Sequence, residues 1–124
     1  MSRSMLLLVT SSALVVACGA TYAAPAEHLA DAQSAERSAR ELGAANQPKA
    51  QLHLQLAHEQ IEAAKGAIRD GDNEGADRLL ARASSDAELA IALTREEGAK
   101  VGAQSATTQS NNQRSTNANQ GATP

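Results

Sequence analysis

Aromatic residues are nearly missing from this chain of 124: Tyr22 stands alone, with no Phe and no Trp. β-Sandwiches and barrels rely on aromatic and β-branched side chains, so the composition argues against both. There is a single cysteine, Cys18, which makes a disulfide within the chain impossible. Basic clusters are absent as well, and the formal charge is −3, which argues against a nucleic-acid partner. No apolar run is long enough to span a bilayer; the longest, residues 5–17, has the length of a secretory signal. What the chain does have is alanine, roughly a quarter of all residues against a much smaller ordinary share. Such a chain is suited to helices that approach closely through small side chains.

The N-terminal segment has one basic residue, Arg3, then the apolar stretch from Met5, closing on Leu14-Val15-Val16-Ala17-Cys18. An aliphatic residue, a tolerant position, a small residue and then cysteine resembles the lipobox of bacterial lipoproteins. That resemblance implies cleavage between Ala17 and Cys18 and a thioether-linked diacylglycerol on Cys18, often with an N-acyl chain. Two or three acyl chains, at about 0.8 kcal/mol per buried methylene, hold a protein on a membrane almost permanently. The alternative is an ordinary signal cut after Ala20, Ala23 or Ala24. It would leave an exported protein with one unpaired thiol, and the last cut would put Pro25 at the new terminus. Gly19, where an aspartate would resemble an inner-membrane retention signal, points to the outer membrane. Removing residues 1–17 takes away Arg3 and leaves ten Lys and Arg against fourteen Asp and Glu, a charge of −4. A body of that sign is expected to stand away from an anionic membrane.

The expected organisation is a signal peptide at 1–17, a lipidated linker at 18–24, a helical domain at 25–101 and a disordered polar tail at 102–124. The fold class is all-α, an antiparallel helical hairpin or a small three-helix bundle. A first helix is predicted from about Pro25 to Leu42, with inward positions Leu29, Ala32, Ala35, Ala39 and Leu42 and with Gly43 taking the left-handed C-terminal position. A second runs from Pro48 to Asp70, capped by Asn46 or Gln47. Its Leu54, Ala57, Ile61, Ala64 and Ile68 fall at spacings of three and four, a heptad seam that Leu52 and Leu56 widen. Gly71 ends that helix, and Asp72 or Asn73 caps the next. So short a connection forces the two helices antiparallel. The third helix runs towards Lys100, with Ala76, Leu80, Ala83, Ala87, Ala90 and Thr94 as its seam and Leu79, Leu89, Ile91 and Leu93 flanking it. From Gly102 onward Gln, Asn, Ser, Thr, Gly and Ala dominate, with Arg114 the lone charge and no periodic apolar face.

The run from Pro48 through Leu52, Leu56, Ala57, Ile61, Ala64 and Ile68, then Asp70-Gly71-Asp72, Ala76, Leu79, Ala83 and Asp86-Ala87-Glu88-Leu89-Ala90, resembles the bacterial family known as domain of unknown function 4398. The resemblance covers about residues 26–101. It implies a short alanine-rich helical domain behind a lipoprotein signal, sometimes coupled in one chain to a peptidoglycan-binding domain, and it carries over no catalytic or binding residue.

Side chains with chemistry to offer are few. His53 and His58 are five apart and so about 140° apart around a helix, a poor arrangement for sharing a metal. His58 and Glu62 have a suitable spacing but no third ligand, and His28 stands apart; all three histidines are read as exposed or boundary residues. Asp70, Asp72, Glu74 and Asp77 alternate like calcium ligands but lack the twelve-residue frame, so they read as capping and dipole compensation. Gly71 and Gly75 belong to the turn and the start of the helix. No serine sits in a strand–turn–helix elbow. No catalytic, cofactor-binding or metal-binding residue is therefore assigned; Ala17 and Cys18 are the site residues, for cleavage and lipidation.

The expected function is that of a structural or protein-interaction lipoprotein of the cell envelope, anchored through Cys18 and facing the periplasm, without catalysis or cofactor. A small lipid- or peptide-binding carrier is the alternative. A thin alanine core also favours association, with itself or a partner, through the helical faces.

Overall fold

In the computed structural model, residues 22–121 are described; the signal peptide and Cys18 lie outside them. The chain forms α1 (Ala26–Glu41), a 3₁₀ turn (Ala44–Asn46), α2 (Pro48–Arg69) and α3 (Asn73–Gln120). Each boundary has a local cause. Gly43, at φ 91°, and Gly71, at φ 82°, take the left-handed conformation that ends α1 and α2. Pro48 opens α2, where a missing N–H costs nothing. Asp72 caps α3, its Oδ1 accepting the Gly75 N–H at 2.9 Å. A β-carbon on Gly75 would lie 2.0 Å from Asp72 Oδ2, so glycine is what lets the cap close. The Gln47 side chain, by contrast, makes no capping bond.

α2 and α3 form the antiparallel hairpin, and α1 packs on both, so the architecture is an all-α three-helix bundle. Two apolar clusters set its alignment. Near the α2–α3 turn, Ala32 meets Ile61, Ala64, Ala76, Leu80 and Ala83. Towards the other end Ala39 meets Ala44, Ala50, Leu54 and Ala90. Moving along α1 therefore means moving forward along α3 and backward along α2.

Among the described residues, ten of the thirteen buried apolar residues are alanines, and Ile61 and Leu80 are the largest side chains fully enclosed. All six seam positions expected on α3 are buried, as are Leu54, Ala57, Ile61 and Ala64 on α2. The flanks differ from expectation in part. Ile68, expected in the α2 seam, is half-buried against the first cluster, and Leu79, Ile91 and Leu93 pack half-buried as flanks, but Leu52 is 56% exposed and Leu89 is also exposed. On α1 the buried face is Ala32, Glu36 and Ala39. Ala35 is half-buried and Leu42 exposed, since α1 turns its Glu36 edge towards α2.

The polar composition from Gly102 offers no apolar face to pack, but the backbone continues α3 to Gln120. From Arg95 onward every described residue except the half-buried Ser110 is exposed. No proline interrupts α3, and a helix already nucleated by its packed half adds a hydrogen bond with each further residue. Ser105, Thr107, Thr108, Ser115 and Thr116 each donate to the carbonyl four residues back, at 2.9–3.0 Å.

Candidate functional site

Two regions stand out: the end of the bundle where the N-terminal segment arrives, and the free half of α3. At the first, the Tyr22 hydroxyl donates to Asp77 Oδ2 at 2.7 Å, and Asn73 Nδ2 donates to the Tyr22 carbonyl at 2.7 Å. His28 Nδ1 pairs with the other oxygen of Asp77. Bonds from His28 and then Tyr22 hold the Asp77 carboxyl below its usual range. Asp77 in turn raises both His28 and Tyr22 above theirs, first through the hydrogen bond it accepts. The chain four residues after Cys18 is thus fastened to the first turns of α3.

His53 and His58 leave α2 on opposite flanks of its seam and reach different helices. His53 Nδ1 lies 2.8 Å from Asp86 Oδ1 on α3, whose other oxygen accepts Gln60 Nε2 at 2.7 Å. His58 Nδ1 lies 3.0 Å from Glu36 Oε1 on α1, an oxygen that also accepts Arg40 at 2.5 Å. Each histidine on α2 and α1 therefore has a carboxylate partner on another helix, which sequence reasoning missed when it placed them only as exposed or boundary residues. The angular separation that speaks against a shared metal is also what sends His53 and His58 to separate neighbours. Among the described residues, no group of three or more His, Cys, Asp and Glu side chains is arranged to hold a metal.

The acidic residues around the turn have separate duties. Asp72 caps, Glu74 pairs with Arg78 at 2.6 Å, and Asp77 receives Tyr22 and His28. Where α3 leaves the bundle, a groove of about 500 Å³ lies against the start of α2, lined by Asn46, Gln47, Pro48, Lys49, Ala50, Leu93, Glu96, Glu97 and Lys100. Its floor is small and its rim charged; Lys100 and Glu96 pair at 2.6 Å, which lowers the glutamate and raises the lysine. None of the described helices is long and apolar enough to cross a membrane.

The family described as Domain of unknown function (DUF4398) matches residues 27–106. The chain belongs to that family. The DUF4398 match takes in α1, α2 and the packed half of α3, and ends within the exposed half. No match was found among curated proteins, and none among solved structures.

Proposed function

We propose that this chain is an outer-membrane lipoprotein, anchored through Cys18 and facing the periplasm, that acts as a structural or protein-interaction module of the envelope without catalytic activity. The observation that carries the reading is the polarity of the molecule. Tyr22, close behind the lipobox cysteine, is fastened at the start of α3 by Asp77 and Asn73. α3 then runs 48 residues in one direction, about 72 Å at 1.5 Å per residue. With the lipid at the Tyr22 end, the amide- and hydroxyl-rich half of α3 is held well away from the membrane, where it can meet a partner. The carrier alternative has less support, since the groove beside α2 is lined by Lys49, Glu96, Glu97 and Lys100 around a small apolar floor.

Mass spectrometry of the mature N-terminus tests the anchor. The expected terminus is diacylglyceryl-Cys18, lost in Cys18→Ala; an unmodified terminus at Thr21 or Pro25 overturns it. Crosslinking in the native envelope, through a photoreactive residue at Gln113, tests the interaction role. Discrete adducts that an excess of the unlabelled chain suppresses, and that a chain shortened to residue 101 does not, support it; a protein that forms none refutes it.

A further inference from the structure

The three histidine–carboxylate pairs are distributed one to each helix–helix interface. His28–Asp77 joins α1 to α3, His53–Asp86 joins α2 to α3, and His58–Glu36 joins α2 to α1. All three engage through Nδ1. Two of them hold α1, and α1 is the helix with the least apolar attachment: its buried residues are Ala32, Glu36 and Ala39, with Leu29 half-buried beside the first cluster. The hairpin, in contrast, encloses Leu54, Ile61 and Leu80. α1 therefore depends more heavily on its polar contacts than the other two helices do.

We propose that these pairs form a proton-operated clasp, which secures α1 on the α2–α3 hairpin in mildly acidic solution and slackens as the imidazoles lose their protons. A neutral imidazole in the Nδ1–H tautomer still donates to the carboxylate, but protonation turns the same contact into an ion pair, which is stronger. Carboxylates face each imidazole, and those around His28 favour its charged form. His28 faces Asp77 from α3 and Glu27 and Asp31 from its own helix, while Arg78, the cation beside Asp77, is paired with Glu74. His53 faces Asp86, which Gln60 also holds. His58 faces Glu36 from α1 and Glu62 from α2, with Arg40 sharing the Glu36 oxygen. The Arg40 bond lies within α1, so His58 is the partner that carries Glu36 across to α2.

The sign follows for His28, which is raised above 6.5 in the folded chain. Its contribution is complete below about 6.5 and is lost as pH rises through the raised value. Thermal melting of the full-length chain in nonionic detergent, followed by circular dichroism at fixed ionic strength, provides the test. The melting temperature is expected to fall as pH rises from 5.5 to 8.0, the direction that the raised His28 gives. The variant carrying His28→Gln, His53→Gln and His58→Gln is expected to lose that slope. Should it fail to fold, His28→Gln alone decides, with a shallower slope than the parent expected. Tyr22, the chain's one aromatic residue, reports locally: a phenol bonded to a carboxylate is quenched, so its emission is expected to rise over the same pH range as the α1 end slackens. A flat parent curve, an unchanged slope in the variants, or constant Tyr22 emission overturns the clasp.

Discussion

Up to Thr94, α3 presents a seam of small residues to two neighbouring helices; beyond it, the same helix presents amides and hydroxyls to water. The backbone is continuous through both halves, so secondary structure alone does not distinguish them. In the first half the helix is held by burial: Ala76, Leu80, Ala83, Ala87 and Ala90 are fully enclosed. In the second it is held by its own hydrogen-bond ladder and by hydroxyls bonded to carbonyls one turn back. The difference separates a part of the molecule that must fold cooperatively from a part that only extends it. It also explains how a chain with so thin a core can project an arm of about 39 Å, roughly 26 residues at 1.5 Å each, without enlarging that core.

The strongest test of this contrast is Ile61→Asp. Ile61 is 1% exposed, between the buried Ala57 and Ala64, and nothing there would pair with a carboxylate. The substitution is expected to cost several kcal/mol, a large part of a net stability of about 5–15 kcal/mol, and to abolish the cooperative melt seen by circular dichroism. A variant that melts like the parent would show that α2 is not held by its seam.

An intermediate effect is expected at the start of α3. Asp72→Ala removes the cap, at about 0.5–2 kcal/mol. Gly75→Ala should also lower the melting temperature despite alanine's better helix propensity, because its β-carbon occupies the place of the Asp72 carboxylate. Combining the two relieves that clash, so the double variant is expected to be more stable than the sum of the singles allows; strict additivity in chemical denaturation would disprove the linkage.

The smallest effect is expected in the arm. Thr108→Pro removes a helical hydrogen bond and breaks the local turn, a change worth about 3 kcal/mol in a packed helix. Since nothing packs on Thr108, it should reduce the helical signal while leaving the melting midpoint of residues 26–94 within about 2 °C of the parent. A large drop in that midpoint would mean that the arm supports the bundle.

Much of this contrast was legible along the chain. The six α3 seam positions could be read from their spacing because a helix repeats its geometry every 3.6 residues, whatever lies opposite. The loss of the apolar face after residue 101 was equally plain. The continuation of α3 as helix was not, since composition reports what a segment can bury and says little about whether a nucleated helix stops. At the proposed anchor, Cys18 and its neighbours carry a local motif, but the fastening of Tyr22 to Asp77 and Asn73 spans more than fifty residues and has no sequence signature.

The amino-acid sequence by itself determined the three helices up to about Lys100, the Gly43 and Gly71 turns, a cap at Asp72 or Asn73 and the alanine seams, because each depends on contacts within a few residues or on helical periodicity. Only the tertiary structure decided that Glu36, and not Ala35 or Leu42, faces inward, and that His28, His53 and His58 each find a carboxylate on another helix. Those pairings depend on how far each helix is rotated and slid against its neighbours. That alignment is set jointly by all three alanine faces as they close to contact, and no single segment encodes it.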